Sequence, residues 1–347
     1  MLKSHTLPSK ATLVSGPDVR LDELRAWLDR QLGNDYALAP ASADASFRRY
    51  FRVSTGDGTT RIAMDAPPPR EDCRPFVKVA ALMHDAGLNV PRVLAQDIGR
   101  GFLLLTDLGR TTYLAALNAG NADRLFDAAL ESLVQWQLAS RPGVLPPYDE
   151  ALLRREMLLF PEWYVGRHLG VTLHADLRQA LDEAMTLVVR SNRAQPAVYV
   201  HRDYMPRNLM LDDHRPGILD FQDAVYGPIT YDVVSLFRDA FVSWDEERVL
   251  DWTARYWDKA KRAGLPVDPD FAVFYRAFEW MGLQRHLKVL GIFARICYRD
   301  GKPGYLADTP RFVGYVRAVC GRYDELRGLA RVFDALENRT PAAGYTF

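Results

Sequence analysis

VYVHRDYMPRNLMLDDHRPGILDFQDA, residues 198–224, is the stretch of sequence that decides the fold. Three apolar residues at its start predict a strand, which leads into a loop carrying His201, Asp203 and Asn208. The segments LMLDD and PGILDF that follow predict a hairpin ending on Asp220. Two carboxylates and one amide are therefore expected to meet where a strand, a loop and a hairpin come together.

This set of side chains matches the needs of phosphoryl transfer. One carboxylate orients and deprotonates the attacking hydroxyl, while an amide and a second carboxylate hold Mg²⁺ on the phosphates. The competing interpretation is that His201 and Asp203 only cap a turn and that Asp220 ends an ordinary strand. The interval of twelve residues from Asn208 to Asp220, with apolar strands on both sides, favours the phosphotransferase interpretation.

The composition of the chain excludes several other classes of protein. Of its 347 residues 48% are hydrophobic and 25% are charged, as in ordinary globular proteins, and no leader or membrane-spanning stretch is visible. The 44 basic residues balance 44 acidic ones, so we expect no nucleic-acid partner. Three distant cysteines form no C-x-x-C pair. We expect a cytoplasmic protein with no membrane association and no obligate protein partner.

Patterns on the two sides of residue 108 differ. Residues 36–108 predict short strands with period-two alternation and an Asp-Gly turn at 55–58, with helices over 21–32 and 71–86. Helical patterns dominate the later part of the chain: 124–139, 152–168, 175–192 and most of 231–337. We therefore predict an α+β fold with two domains, a small lobe with an antiparallel sheet (residues 1–107) and a larger, mainly helical lobe (residues 108–347).

The motif H-x-D-x-x-x-x-N, followed by D-F-Q at 220–222, resembles the catalytic and metal-binding loops of protein-kinase-like folds. Gln222 stands where protein kinases carry a glycine, and in this respect the motif resembles that of the aminoglycoside phosphotransferase and choline kinase family. This resemblance implies a bilobal fold that uses ATP and Mg²⁺. It also implies that Asp203 is the catalytic base, that His201 supports the loop, and that Asn208 and Asp220 are Mg²⁺ ligands.

Five further segments are similar to the branch of this family that phosphorylates N-acetylated amino sugars on the anomeric hydroxyl: 44–53, 64–76, 87–97, 101–109 and 278–306. The resemblance implies N-acetylmuramate and N-acetylglucosamine as substrates and sugar 1-phosphates for cell-wall recycling as products. Two alternatives stay open: a kinase for an amino alcohol or an aminoglycoside, and a pseudokinase that binds nucleotide without transferring phosphate.

The segment LLLTDLGR, residues 103–110, resembles the hinge of these kinases. The resemblance implies that backbone groups of Thr106, Asp107 and Leu108 bind the adenine of ATP.

The lysine that protein kinases carry on the third strand is absent, and the corresponding position here is Met64. The loop before the second strand offers other groups for the phosphates: Ser46, Phe47, Arg48 and Arg49. We favour Arg49, because we expect it to share a cleft-lining face with Phe47 and Phe51. A solvent-facing salt bridge is the alternative for Arg49.

The helical part offers candidates for the acceptor site. Residues 271–340 contain twelve positively charged and seven negatively charged side chains. This excess of positive charge favours a neutral or anionic acceptor over a polycationic antibiotic. Sugar-binding candidates are aromatic or able to form bidentate hydrogen bonds: Trp163, Arg276, Glu279, Trp280 and His286. In the alternative interpretation the two tryptophans are core anchors and the histidine is a surface residue.

Three more side chains are expected near the loop. Arg202 and Arg207 would bring positive charge to the substrate and the transferred phosphate, or would instead form salt bridges with Asp212 or Asp213. Asp232 lies in the segment YGPITYDVVSLFRD, which resembles the family's sequence after the metal-binding aspartate. We expect Asp232 to anchor a helix near the catalytic loop.

Overall fold

A computed structural model describes residues 18–42, 47–68 and 70–337. These residues form two compact units. The sheet unit consists of the described residues up to Arg74 together with Val93–Asp107. The helical unit consists of Pro75–Arg92 and the described residues from Leu108 onward.

The sheet unit contains a five-stranded antiparallel sheet with the order β1-β2-β3-β5-β4. Its strands are β1 (Tyr36–Ser42), β2 (Arg49–Thr55), β3 (Thr60–Asp65), β4 (Val93–Asp97) and β5 (Phe102–Thr106). The turn predicted between β2 and β3 is confirmed, and Gly58 supplies the positive φ of 80° that the turn uses.

Helix α1 (Val19–Leu32) covers one face of this sheet. The Asp18 side chain caps its start by accepting the Leu21 N–H, and Gly33 ends it with φ 76°. The buried side chains of this core come from the helix and from alternating strand positions: Leu24, Trp27, Leu28, Phe51, Val53, Ala63, Phe102 and Leu104. Each large apolar side chain buried here contributes about 1.5–3 kcal/mol, so α1 is an integral part of the sheet unit.

The helical unit is built around one long helix. Its α-helices are α2 (Arg74–Asp85), α3 (Tyr113–Ala116), α4 (Ala122–Leu138), α5 (Glu150–Met157), α6 (Ala175–Arg193), α7 (Tyr231–Phe237), α8 (Glu246–Arg262), α9 (Phe271–Asp300), α10 (Thr309–Cys320) and α11 (Arg327–Glu337). Helix α9 has 30 residues and packs against α5, α6, α7 and α10.

Two short antiparallel sheets complete the helical unit. One pairs β6 (Ala197–Val200) with β9 (Val225–Pro228), and the other pairs β7 (Leu209–Met210) with β8 (Gly217–Ile218). The strand and the hairpin predicted around the sequence motif are thereby confirmed.

Helix α2 packs with the helical unit rather than with the sheet to which the sequence assigned it. The ring of Phe76 lies 4.8 Å from that of Phe221, and Gln135 donates a 2.6 Å hydrogen bond to the carbonyl of Ala86. The apolar face of α2 therefore finds its partners beside β8 and α4.

The single helix predicted over 152–168 is wrong in its second half. Helix α5 ends at Met157, and a π-helix follows over Phe160–His168. Pro161 lacks an N–H and cannot continue an α-helical ladder, which accounts for the change of hydrogen-bond pattern. This segment lies so close to α9 that a Cβ on Gly291 would come within 2.3 Å of the Leu159 carbonyl carbon.

Candidate active site

The loop after β6 is held from below by one buried carboxylate. Asp232, in the first turn of α7, accepts the backbone N–H groups of His201 at 2.7 Å and of Arg202 at 3.0 Å. Burial raises the pKa of Asp232 to about 7, against the lowering effect of these two hydrogen bonds. Asp232 thus anchors the start of α7 to the loop, as predicted, but it does not cap that helix, whose N-cap residue is Thr230. Arg202 takes a positive φ of 77°, a strained conformation for a residue with a side chain.

His201 is fixed in one neutral tautomer. Its Nδ1 accepts the N–H of Asp203 at 3.2 Å, so Nε2 carries the proton and donates to the carbonyl of Leu219 at 3.0 Å. Burial lowers the pKa of His201 to about 4, although the nearby Asp203 charge opposes this. This geometry makes His201 a link between the loop and the strand end at Leu219, rather than a proton carrier.

Asp203, Asn208 and Asp220 lie together. The amide nitrogen of Asn208 donates to the carbonyl oxygen of Asp203 at 2.9 Å and lies 3.5 Å from Oδ2 of Asp220. The carbonyl of Asn208 accepts the N–H of Leu219 at 2.9 Å, and Gln222 donates to Oδ1 of Asp220 at 2.7 Å. The loop and the end of the hairpin are therefore joined by both backbone and side-chain hydrogen bonds.

The donor set suits a magnesium ion that is shared with phosphates. Because the Asn208 amide nitrogen is used as a donor, its Oδ1 is the atom left to ligate a metal, and the nitrogen itself lies 3.5 Å from the Asp220 carboxylate. Asp220 has a positive φ of 64°, the second such non-glycine residue in the described part of the chain. Mg²⁺ in phosphotransferases commonly takes one or two carboxylates and completes its shell with phosphate oxygens and water. The described residues contain no separate cluster of three His, Cys, Asp or Glu side chains for a metal.

A buried charge network supports Arg202, and the sequence reasoning missed it. Arg202 donates to Glu156 at 2.6 Å, and Lys288 of α9 lies 3.1 Å from the same carboxylate oxygen. Gln284 donates to the other oxygen at 3.0 Å, and Lys288 also donates to the hydroxyl of Tyr231 at 2.9 Å. Arg202 therefore does form a salt bridge, but its partner is Glu156 and the predicted partners Asp212 and Asp213 are wrong. A lysine inside the apolar run HLKVLGIF was the available signal.

The charges of this network set the protonation states of its members. Burial alone would raise the pKa of Glu156, but Lys288 and Arg202 lower it to about 2. Burial alone would lower the pKa of Lys288, but its surroundings, including Glu156, raise it. Two cations and one carboxylate therefore leave one net positive charge on the set of Arg202, Lys288 and Glu156.

The second arginine of the loop has different surroundings. Arg207 is exposed, and its guanidinium carbon lies 4.7 Å from the centre of the Phe241 ring. No carboxylate of the described residues forms an ion pair with it, so the alternative of a bridge to Asp212 or Asp213 is not observed for Arg207 either.

The position of Arg49 in the sheet unit differs from the prediction. Arg49 and Phe51 lie on the face covered by α1: Phe51 belongs to the core, and Arg49 donates to buried Asp65 at 2.6 and 3.0 Å and also pairs with Asp18. The choice of Arg49 for the phosphates rested on this face lining a cleft, and that premise is wrong. The salt bridge named as the alternative is what the structure shows.

Met64 lies on the opposite face of the sheet. It pairs with Tyr50 across β2 and β3, so Arg48 and Arg52 share its side of the sheet. Arg48 pairs with Glu71 at 3.1 Å. Phe47 is 57% exposed, and its N–H donates to Glu71 at 3.2 Å, while Ser46 lies outside the described residues.

The predicted hinge residues follow β5. Arg52 makes a bidentate pair with Asp107 at 2.6 and 3.0 Å, which ties the end of β5 to β2. Thr106 is the last residue of β5 and pairs with Arg61, and Leu108 packs near Gly217 of β8. The side chain of Asp107 is therefore engaged within the sheet unit.

The substrate candidates on α9 are not gathered around Asp203. Successive helical residues turn by about 100°, so His286 and Glu279 project nearly opposite to Gln284 and Lys288, which reach Glu156. His286 is buried against Tyr315 and Phe312 of α10, and burial lowers its pKa well below the usual value.

The remaining candidates of this group are engaged with the C-terminal part of the chain. Glu279 pairs with Arg322 and, together with His286, lines a small pocket beside α10. Arg276 pairs with Glu325 at 3.0 Å and lies over the buried ring of Trp280. Trp163 is half-buried in the π-helix. The prediction that Trp280 is a core anchor agrees with its burial, whereas the placement of His286 on the surface is wrong.

Comparison with known proteins establishes the class. Residues 37–266 match the family described as phosphotransferase enzyme family, which covers more than half of the chain. The chain belongs to this family.

Particular relatives narrow the comparison. The chain is 55% identical to the N-acetylmuramate/N-acetylglucosamine kinase of Pseudomonas aeruginosa over 92% of its own length and 97% of that protein. It is 49% identical to the protein of the same name from Neisseria meningitidis, over 94% and 98% of the two chains. The predicted family is thereby confirmed.

Solved structures support the fold class. An ethanolamine kinase from Plasmodium vivax superposes with a TM-score of 0.58 at 12% identity, covering 87% of both chains. A putative aminoglycoside phosphotransferase from Ralstonia eutropha gives 0.58 at 16% identity, covering 92% and 98%. The predicted protein-kinase-like α+β fold is confirmed. Within the described ranges, no helix is both long and apolar enough to cross a bilayer.

Proposed function

We propose that this protein is an ATP- and Mg²⁺-dependent kinase of N-acetylmuramate and N-acetylglucosamine, which phosphorylates the anomeric hydroxyl on C1. The products are sugar 1-phosphates that serve cell-wall recycling. The observation that carries the proposal is the hydrogen-bonded set of Asp203, Asn208 and Asp220 in a chain 55% identical to a relative of that name.

Asp203 acts as the general base in this proposal. Its backbone N–H is held by His201 and its backbone carbonyl by Asn208, so the main chain that carries the carboxylate is fixed before substrate binds. It orients the C1 hydroxyl and takes its proton while the oxygen attacks the γ-phosphorus of ATP and the bond to ADP breaks.

Asn208 and Asp220 would hold the metal, the first through Oδ1 and the second through its carboxylate. Mg²⁺ bound there would neutralise the charge on the transferred phosphoryl group. Gln222 and the Leu219 backbone keep the two ligands in register.

The nucleotide is assigned to the sheet unit with the segment that follows β5. Backbone groups of Thr106, Asp107 and Leu108 bind adenine, and the Arg52 pair with Asp107 keeps that segment in place. Arg48, on the Met64 face and paired with Glu71, replaces Arg49 as the arginine for the phosphates.

The test is ATP consumption by the purified protein with Mg²⁺ and a panel of N-acetylmuramate, N-acetylglucosamine, glucose, choline and kanamycin. We expect turnover with the two N-acetylated sugars alone, and a ³¹P NMR signal of a C1 phosphate. A product phosphorylated on another carbon would contradict the regiochemistry. ATP binding without turnover of any acceptor would instead support the pseudokinase, with Met64 as its cause.

A further inference from the structure

Arg207 combines a position in the catalytic loop with available donors. It directly precedes Asn208 and follows Asp203 by four residues. Its guanidinium carbon lies 4.7 Å from the centre of the Phe241 ring, and the side chain is exposed. No carboxylate of the described residues forms an ion pair with it, so its five N–H donors are accessible to a ligand.

The ring under Arg207 is itself held in place. Asp239, a buried carboxylate, accepts the N–H groups of Phe241 at 2.7 Å and of Val242 at 3.0 Å. Arg311 donates to the carbonyl of Ala240 at 2.7 Å. The backbone of this segment is therefore fixed on both sides of the ring.

Two more aromatic residues surround the ring. Phe293 of α9 and Tyr305 lie 6.5 and 6.4 Å from Phe241 and 5.3 Å from each other. A fixed ring lowers the entropic cost of ordering the arginine that stacks on it, because the side chain is held before a ligand arrives.

The chemistry of the group points to a planar anion. A guanidinium matches a carboxylate or a phosphate through two parallel hydrogen bonds. The other arginine of the loop, Arg202, is already committed to Glu156, and Asn208 with Asp220 is assigned to the phosphates. Arg207 extends from this loop over an aromatic cluster of the helical unit, and aromatic faces are suited to the apolar side of a sugar ring.

We propose that Arg207 binds the lactyl carboxylate of N-acetylmuramate and so determines how the enzyme ranks its two acceptors. This inference rests on the proposed function. N-acetylglucosamine lacks the lactyl group on O3 and otherwise presents the same ring and the same C1 hydroxyl. The two sugars therefore form a matched pair that differs in the group Arg207 binds.

The experiment compares kcat/KM for the two sugars in the wild-type enzyme and in Arg207→Gln. A charge-assisted hydrogen bond contributes about 1.5–3 kcal/mol, so the ratio of N-acetylmuramate to N-acetylglucosamine should fall about 10- to 100-fold. Phe241→Leu removes the ring but keeps the arginine, and it should lower the same ratio by a smaller factor. The matched control is Arg331→Gln, an exposed arginine of α11, which should leave both values unchanged.

The outcomes distinguish a failure of the role given to Arg207 from a failure of the proposed kinase function. An unchanged ratio in Arg207→Gln, with equal losses for both sugars, would overturn the inference and assign the arginine to the phosphates. An unchanged ratio with no loss would overturn it as well. Failure of the wild-type enzyme to phosphorylate either sugar would overturn the proposed function, and this inference would fall with it.

Discussion

Two positions of the loop between β6 and β7, 202 and 207, carry the same residue type in opposite settings. Arg202 is strained in its backbone and is neutralised underneath by Glu156, while Arg207 is exposed and lies on an aromatic ring. An arginine with a buried carboxylate partner stabilises the loop, whereas an arginine whose donors face solvent is available to a ligand. The difference teaches that neighbours from distant helices, rather than position in the motif, decide the role of each arginine.

Asp203 lies between the two arginines, and its replacement should give the largest effect. We expect Asp203→Asn to lower kcat about 10²- to 10⁴-fold, because a positioned general base contributes that much. Steady-state kinetics with ATP and either sugar measures the change. Asp213→Asn, an exposed carboxylate in the turn of the β7–β8 hairpin, is the control and should keep full activity. Near-normal turnover in Asp203→Asn would show that another group takes the proton.

The charge under Arg202 can be tested by removing and then restoring it. Lys288→Met reduces the net charge of the network from +1 to zero, and we expect kcat to fall on the order of tenfold or more with little change in the KM for ATP. Adding Glu156→Gln returns the net charge to +1. The double variant should therefore be more active than Lys288→Met alone.

Glu156→Gln by itself leaves two buried cations without a carboxylate. It should be the least stable variant of this set, by about 3–5 kcal/mol relative to the wild-type protein. A double variant less active than both single variants would mean that the individual contacts matter and that their summed charge does not.

The same contrast of one residue type in two settings applies to glycine. Gly291 in α9 lies against the Leu159 backbone, whereas Gly314 in α10 has open space around its Cβ position. We expect Gly291→Ala to destabilise the protein by about 1–3 kcal/mol through overpacking. Gly314→Ala should stabilise it by up to about 1 kcal/mol through helix propensity. Chemical unfolding measures both, and equal shifts would contradict the close approach of the π-helix to α9.

The last prediction is a pH dependence of the stability that comes from the buried side chain of His201. The folded pKa of His201 is lowered to about 4, so the unfolded chain takes up a proton below about pH 6.5 that the folded state excludes. As the pH drops from 7 to 5, this group should lower the stability by on the order of 2 kcal/mol, whereas Asp232, whose folded pKa is raised to about 7, contributes in the opposite direction; the part due to His201 is therefore read from the difference between the variants. His201→Asn should show less of this dependence, and His214→Asn, in an exposed turn, should keep it. Identical pH profiles for all three proteins would contradict the buried neutral tautomer.

Local patterns were sufficient to predict the strands, the hairpin and the three residues Asp203, Asn208 and Asp220. The hydrogen bonds within this site join residues at most eighteen positions apart in the chain. The spacing of the residues in the motif is therefore enough to predict that they lie close together. The same locality made the end of α1 at Leu32 and the turn before β3 predictable, whereas the start of α1 lies two residues before the predicted one.

Long-range packing accounts for what the sequence did not reveal. Alternation along β2 identified two faces, but only the docking of α1 determines that Arg49 and Phe51 lie beneath a helix. Periodicity on α9 grouped Arg276 with Glu279, yet the packing of α5 and α10 on different sides selects which face meets Glu156. In both cases the choice of face depends on contacts between segments far apart in the chain.

Leu219 shows how function can depend on an atom that no side chain supplies. Its N–H donates to the carbonyl of Asn208, and its own carbonyl accepts from His201. The backbone of this one residue therefore joins the loop after β6 to the end of the hairpin. A mutational scan should find position 219 tolerant of many side chains and intolerant of proline, while position 201 tolerates little. An ester in place of the amide that carries the Leu219 N–H would change one atom of the main chain and remove the hydrogen bond to Asn208, while the Leu219 carbonyl that accepts from His201 would stay in place.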